Sequence, residues 1–480
     1  MSTQPRLIGR QKEKSILNDA ATSQKSEFIA VYGRRRIGKS YLIQQYFKDH
    51  PFYFEFVGTH RANLKKQLEN FTQELLRTFK NSKLEKQPDS WSEAFYVLRD
   101  VIEKLPVDSS KKKVIFFDEL PWIASRKSGF LDALGYFWNS FLQKRQDIIL
   151  VVCGSAASWM IAKIMDSKGG LHNRITKPIP MFPFTLRETR TYLKFKRQAN
   201  LNRGQISEIY MATGGVADYL DEVQPGESAI QFINRAFFSF NGKLRTEFDR
   251  LFASLFDDYQ IHVEVVRALA KHRNGLSYQK LAAQLAIEPG GTFSNVLLEL
   301  EKSAFIHFNP QLNCKNVGVY RLIDEYTYFY LTWVEALGRT FQDEFYWEKL
   351  AGKPKHNSWL GYAFENLCFR HSEQIKRDLG IGALTTEVFG FHSDKVQIDM
   401  IIRRSDRVLN LCEMKYTSSS YALSKLEAQK ISKRRQELLG QLKKREQVFV
   451  TLVTPYPAKR NSHYSGLIIK EVNLKGLFQS

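Results

Sequence analysis

The stretch Gly33-Arg34-Arg35-Arg36-Ile37-Gly38-Lys39-Ser40 constrains this chain more than any other, because it joins the spacing GxxxxGK[ST] to a place in the fold. Before it runs Phe28-Ile29-Ala30-Val31-Tyr32, an apolar segment of strand length, and after it Tyr41 to Phe47 has helical spacing. A strand, a glycine-bounded turn and a helix in that order curl successive backbone N–H groups around an anion at the positive end of the helix. Lys39 is then placed to reach the outer phosphates of a nucleotide, and Ser40 to put its hydroxyl on Mg²⁺. Such a loop belongs to an open parallel sheet, so a βαβ alternation is expected around it.

The sequence supplies that alternation. Val114-Ile115-Phe116-Phe117 and the run 148–153 read as two more buried strands, and helical patterns cover 63–79 and 91–105. The first of these strands ends in Asp118-Glu119. Asp118 suits Mg²⁺, and Glu119 suits polarisation of an attacking water. The second ends in Gly154-Ser155, where Ser155 is either a sensor of the γ-phosphate or a simple helix cap. Arg174 is either a finger that supplies charge to the transition state or an ordinary surface arginine. Residues 33–40, Asp118 and Ser155 together form the expected site for ATP with Mg²⁺. Pro178, Pro180 and Pro183 are expected to break the chain ahead of a helical stretch from Leu186 to about Leu220.

On these residues the sequence resembles the archaeal-type AAA+ ATPases, relatives of the STAND ATPases that also occur in bacteria. The matching stretches are Ile8-Gly9-Arg10 with Glu13, Val31 to Ser40, Phe117-Asp118-Glu119-Leu120-Pro121-Trp122 and Cys153-Gly154-Ser155. Arg174-Ile175-Thr176 before Phe182-Pro183-Phe184, and Thr213-Gly214-Gly215-Val216, follow in the same order. Ala217 departs from the proline that relatives often carry there. The resemblance runs to about residue 340 and implies an ATP-driven switch with a lid and a winged helix behind the core.

The residues after the core have a different texture. Val263 to His272 is amphipathic, Ser277 is placed to cap a second helix, and Thr292 to Glu301 reads as a third. The runs 305–308 and 319–322 read as a hairpin. Three helices and a β-wing make a winged helix-turn-helix, which reads DNA or serves as a rigid lid. Asp324 to Gly338 is an aromatic-rich helix, and Gly352 to Ser358 reads as a linker.

Beyond that linker, a helix over 360–379 precedes strand-like runs at 384–391, 396–402 and 408–414, a basic helix at about 424–444 and a strand at 447–453. Glu365 lies on the first helix, Asp399 on the second run, and Glu413 and Lys415 at the end of the third. Side chains alternate along a strand, so Glu413 and Lys415 share a face, and Asp399 on a neighbouring strand can join Glu413 around Mg²⁺. A carboxylate-held metal with a lysine beside it is what phosphodiester hydrolysis requires. The order resembles the PD-(D/E)XK nuclease fold, which implies catalytic roles for Glu365, Asp399, Glu413 and Lys415. The ordinary alternative is a charge pair between Lys415 and Glu413. Lys425, Lys430, Lys433, Arg434, Arg435, Lys443, Lys444 and Arg445 suit a phosphate backbone nearby, or simply a solvated face.

The expected architecture is therefore α/β: a P-loop ATPase core with a parallel sheet over 1–185, a helical lid over 186–245, a winged helix and connector over 246–345, and a PD-(D/E)XK nuclease-like domain over 358–480. A net charge of +21 favours a nucleic-acid partner, DNA before RNA, and argues against membrane-coupled or chaperone-like work. The four cysteines show no metal or disulfide spacing. A polar N-terminus and the lack of a ~20-residue apolar run point to the cytoplasm. The functional expectation is an ATPase whose nucleotide state controls a metal-dependent nuclease domain acting on DNA. The alternative is an ATP-dependent switch that binds DNA or a protein without cutting. Oligomerisation stays open.

Overall fold

The computed structural model describes residues 7–80, 86–105, 111–125, 127–165, 171, 173–256, 258–338, 340–341, 343, 345–442 and 445–479. The chain divides into two compact units, Met1–Phe182 and Pro183–Ser480.

The first unit is built on five parallel strands: β1 (Glu27–Tyr32), β2 (Tyr53–Val57), β3 (Lys113–Asp118), β4 (Ile148–Gly154) and β5 (Lys177–Pro180), in the order β2-β3-β4-β1-β5. The three central strands are apolar between their end residues because both faces are covered. Phe28, Ala30, Ile115, Phe117, Leu150 and Val152 enter one core, with helices Leu64–Thr78, Trp91–Lys104 and Phe130–Ser140. Ile29, Val31, Val114, Phe116, Ile149 and Val151 enter the other, with helices Gln11–Thr22 and Lys39–Phe47. Each strand thus reads as one continuous hydrophobic run while feeding two cores by alternation.

Pro178 and Pro180 do not break the chain as expected; they lie inside β5. Among the described residues that strand pairs only with β1, so one side of its backbone has no ladder to complete. A residue without an N–H is tolerated there and nowhere deeper in the sheet.

At the foot of this sheet Asp147 accepts hydrogen bonds from Arg145 Nε and Nη2, both at 2.8 Å, and from Lys113 Nζ. Burial pushes its carboxyl up, but the two cations outweigh it and hold the group down at about 2. The free-chain value is about 3.9. The pairing therefore stabilises the unit fully above about pH 4 and is lost as pH falls through about 2. Stability followed by urea titration between pH 2 and 7 should show this loss on the acid side. Asp147→Asn should be less stable at pH 7 and should lack that part of the slope; an unchanged slope would remove Asp147 from the account.

The second unit starts with helices Leu186–Phe195, Arg203–Thr213 and Ala217–Leu220, which lie along the expected helical stretch from Leu186 to about Leu220. Gly214 and Gly215, both in the left-handed region, end the second of these. Then come helices Tyr259–Lys271, Tyr278–Gln284 and Gly291–Lys302, followed by the antiparallel hairpin β6 (Ile306–Gln311) and β7 (Cys314–Leu322). Ser277 caps its helix by accepting from the Lys280 N–H. A helical stretch from Glu325 to Leu337 follows, with a wide turn at Tyr330–Val334.

The expected linker at Gly352–Ser358 is a helix start instead: Pro354 opens helix Pro354–Arg370, where its missing N–H costs nothing. A break at His371 then separates helix Ser372–Asp378, so the expected single helix over 360–379 is two. The remaining strands are β8 (Thr386–His392), β9 (Gln397–Arg404), β10 (Val408–Met414), β11 (Gln447–Val453) and β12 (Ile468–Val472). They join the hairpin in one seven-stranded sheet of order β12-β11-β10-β9-β8-β6-β7. β9 runs antiparallel to β8 and β10, whereas β10, β11 and β12 are parallel. The basic helix is shorter than expected, Lys425–Leu439, and opens on a capping box between Ser424 and Glu427. Arg445 lies beyond it, and Lys443 and Lys444 lie outside the described residues.

Candidate functional site

Parallel strands bring their carboxyl ends to one edge of the first sheet, and the predicted nucleotide residues collect there. β4 lies between β1 and β3, so the loop after β1, the acidic pair after β3 and Ser155 after β4 are neighbours. Gly33 has φ +144°, and a Cβ there would meet the Met181 carbonyl oxygen at 2.2 Å, so only glycine lets the loop turn this close to β5. Gly38, at φ +85°, precedes helix Lys39–Phe47, whose first turn carries no side-chain cap. Uncapped N–H groups at the end of a glycine turn are donors suited to phosphate oxygens. Ile37 is buried in the core, Ser40 is half-buried in the first turn, and Arg35 and Arg36 are half-buried. Arg34 is buried and lends its carbonyl to the site.

Lys39 is buried, and its Nζ donates to the Arg34 carbonyl at 2.9 Å and to Ser155 Oγ at 3.2 Å. Burial pulls its pKa below the ordinary lysine range, while Cys153, Glu119 and Asp118 pull it back up. Ser155 Oγ in turn donates to Glu119 Oε1 at 2.9 Å. The lysine, serine and glutamate thus form one hydrogen-bonded chain across three strand ends. Ser155 is not a helix cap: the following helix, Ala157–Met160, starts from Ala156 without any side-chain cap. Asp118 is buried and accepts from the Glu119 N–H at 2.8 Å. Glu119 itself has φ +48°, a strained conformation for a residue with a side chain and of the kind that gathers at reacting sites. Arg174 is exposed, and its guanidinium has no hydrogen bond among the described residues.

One residue of this site had no role assigned from sequence. Arg10 is buried, and its guanidinium donates to the Ile37 carbonyl at 2.8 Å and to the Phe182 carbonyl at 2.6 Å. It pins the phosphate-loop backbone from outside. The Ile8-Gly9-Arg10 motif was the available signal.

The carboxylates of the second unit are arranged differently from the sequence expectation. β9 and β10 pair as far as Cys412 opposite Met400, which puts Glu413 and Asp399 next in register. Yet each acid is held by a cation. Glu413 accepts from Arg434 Nη1 at 2.8 and 3.0 Å, and Lys415 Nζ lies 2.9 Å away. Asp399 Oδ1 accepts from Arg321 Nη1 at 2.8 Å and from Gln397 Nε2 at 3.0 Å. Glu365 Oε2 accepts from Arg321 Nη2 at 3.4 Å. Among the described residues no group of three or more His, Cys, Asp or Glu is placed to hold a metal ion. The expected meeting of Asp399 and Glu413 around Mg²⁺ is therefore not the arrangement found, because guanidinium and ammonium groups occupy their oxygens.

Carboxylate oxygens suit a hard cation by chemistry, but the three acids are not gathered as one ligand group among the described residues. Burial, then the charge of Asp399, raises the Glu365 pKa to about 7 in spite of Arg321 and Lys415. That shift reports burial first and the neighbouring Asp399 second. Arg321 comes from β7, far from the acids in sequence, and no motif pointed to it.

Residues 7–223 match the family described as an ATPase domain predominantly from Archaea. The chain is similar to an uncharacterized protein of Methanocaldococcus jannaschii, 22% identical over 367 residues that cover 75% of this chain and 76% of that one. Of solved structures, a Walker-type ATPase of Pyrococcus abyssi aligns with a TM-score of 0.48 and 18% identity, over 68% of this chain and 96% of its own. The Aeropyrum pernix ORC2 protein, solved in ADPNP and ADP complexes, aligns at 0.42 and 15%, over 68% and 94%. No helix among the described residues is long and apolar enough to cross a membrane.

Proposed function

We propose that the chain, through the archaeal-type ATPase domain matched over 7–223, binds ATP and hydrolyses it, and that the nucleotide state controls a nuclease-like C-terminal domain directed at DNA. The observation that carries the ATPase half is the chain from Lys39 through Ser155 to Glu119 at the edge of a parallel sheet. A γ-phosphate meeting Lys39 competes for Ser155, and Ser155 in turn holds the glutamate that faces the attacking water. Mg²⁺ would be held by Ser40 and Asp118, with nucleotide oxygens completing its shell. Arg174, exposed and without a hydrogen bond among the described residues, is available to a transition state within the chain or across copies.

For the C-terminal half, support comes from Glu365 within helix Pro354–Arg370, Asp399 near the start of β9, and Glu413 and Lys415 at the end of β10. In the active form Asp399 and Glu413 would hold the divalent ion, with Glu365 and Lys415 beside them, and the ion would supply an activated water and charge neutralisation for phosphodiester hydrolysis. Exposed Lys425, Lys430, Lys433 and Arg435 along one helix support a phosphate backbone as partner. The three helices and hairpin act in this reading as a winged-helix connector. Helix Gly291–Lys302 exposes Thr292, Ser294 and Asn295 but no Lys or Arg before Lys302, a poor surface for a DNA groove. A second reading, a switch that binds without cutting, is favoured by the cations already seated on the acids.

Cleavage of supercoiled plasmid with Mg²⁺ or Mn²⁺, with and without ATP, separates the two. Wild type should nick or linearise the DNA, and Asp399→Ala should fall by about 10²-fold or more. If both are inert while ATP is still hydrolysed, the binding-only switch stands.

A further inference from the structure

We propose that Gln67 is a positioning residue for ATP hydrolysis, one that aims Glu119 by clamping the backbone around the turn that carries it. This deepens the ATPase reading and rests on it.

Gln67 is a polar side chain in an apolar place. Helix Leu64–Thr78 turns Leu68, Phe71 and Leu75 into the core, and Gln67, on the same buried side, is 2% exposed. Its amide makes three hydrogen bonds, all to backbone. Oε1 accepts from the Thr59 N–H at 3.1 Å, and Nε2 donates to the Thr59 carbonyl at 2.8 Å and to the Trp122 carbonyl at 3.1 Å. Burying an amide is costly unless it is matched in this way, and a leucine would fill the space without that cost.

The two points it holds flank Glu119. Thr59 follows Gly58, whose N–H donates to the Asp118 carbonyl at 3.0 Å. Gly58 lies so close to the turn that a Cβ on it would meet the Glu119 carbonyl oxygen at 2.8 Å and Ile123 Cγ1 at 2.7 Å. On the other side the Trp122 N–H donates to the Glu119 carbonyl at 2.9 Å. Glu119, at φ +48°, opens helix Leu120–Ile123, a single turn too short to impose that conformation by itself. Left-handed backbone at a residue with a side chain persists only where its surroundings fix it. One amide does this here, joining the loop packed against the turn to the helix that leaves it. The direction of the Glu119 carboxylate follows from that backbone, and a shift of ~1 Å at a reacting group costs about 10²-fold in rate. Asn70, from the same helix, reaches the same loop differently: its Nδ2 donates to Thr59 Oγ1 at 3.1 Å, a side-chain contact that does not extend to the turn.

The test compares single-turnover ATP hydrolysis by the full chain with its equilibrium affinity for ATP. Gln67→Leu should hydrolyse about 10- to 100-fold more slowly, with ATP affinity within about threefold of wild type. Asn70→Ala should keep the wild-type rate. Leu75→Ala, which leaves a cavity under the same helix, should keep it too while melting at a lower temperature, so that lost stability alone does not imitate the effect. The decisive arm is Glu119→Gln: with the carboxylate gone, adding Gln67→Leu should slow the residual rate by less than about twofold. Losses that multiply in the double variant overturn the proposal, as does a Gln67→Leu rate equal to wild type. Gln67→Glu keeps an acceptor for the Thr59 N–H but turns a carboxylate oxygen towards two carbonyls; it should show the same loss of rate, and it decides the matter if Gln67→Leu does not fold. Wild type that releases no phosphate from ATP overturns the ATPase reading as well, a result distinct from a Gln67→Leu as fast as wild type.

Discussion

Lys39→Ala should lose nucleotide: affinity for ATP by about 10²-fold and turnover to background, measured by titration with a fluorescent ATP analogue and by phosphate release. The ammonium is bonded at the crossing of the three strand ends, where it holds the Arg34 carbonyl and Ser155. Burial lowers its affinity for a proton, so a triphosphate arriving beside it favours the charged form and gains a charge-assisted bond in a poorly solvated place. A bond of that kind contributes about 1.5–3 kcal/mol, which sets the tenfold to hundredfold range on binding alone. Turnover falls further because the same group meets charge developing on the transferred phosphoryl. Both cores are complete without it, so the variant should keep its circular dichroism and melting transition. Retained ATP affinity in a folded variant would remove the loop from the nucleotide site.

Glu119→Gln should separate binding from chemistry. Glutamine keeps the oxygen that accepts from Ser155, so ATP affinity should stay within about threefold, but it cannot take a proton from water. Loss of a general base costs about 10²–10⁴ in rate. Single-turnover hydrolysis with radiolabelled ATP, against an equilibrium binding curve, gives both numbers for one sample. Hydrolysis at the wild-type rate would leave Glu119 a structural residue whose strained φ of +48° has another cause.

The nucleotide residues were legible because their signal is local. A strand, six loop residues and a helix are contiguous, and the sheet does the rest by making carboxyl ends meet. Strand β2 escaped because its apolar residues, Phe54 and Phe56, alternate with Tyr53 and Glu55, leaving no run to notice. β5 escaped because proline argues against a strand anywhere except at an edge, and edges are not marked in a sequence. The carboxylate site was half legible. Asp399, Glu413 and Lys415 sit at strand ends whose spacing can be counted, but the cations that meet them come from elsewhere. Arg321 is 78 residues from Asp399 and 44 from Glu365, and Arg434 is 21 from Glu413. Arg10 reaches Ile37 across 27 residues and Phe182 across 172. Charge pairing over such separations has no periodicity to read.

The prolines of β5 also bear on how this protein meets copies of itself. An uncovered strand with a full set of N–H groups is a template on which another chain can add its own strand, and many assemblies and most aggregates begin that way. Pro178 and Pro180 remove two donors from a four-residue strand, so the sheet cannot be extended at that border. Any higher-order assembly of the ATPase unit through that side must be made by side chains, and is therefore open to being taken apart again.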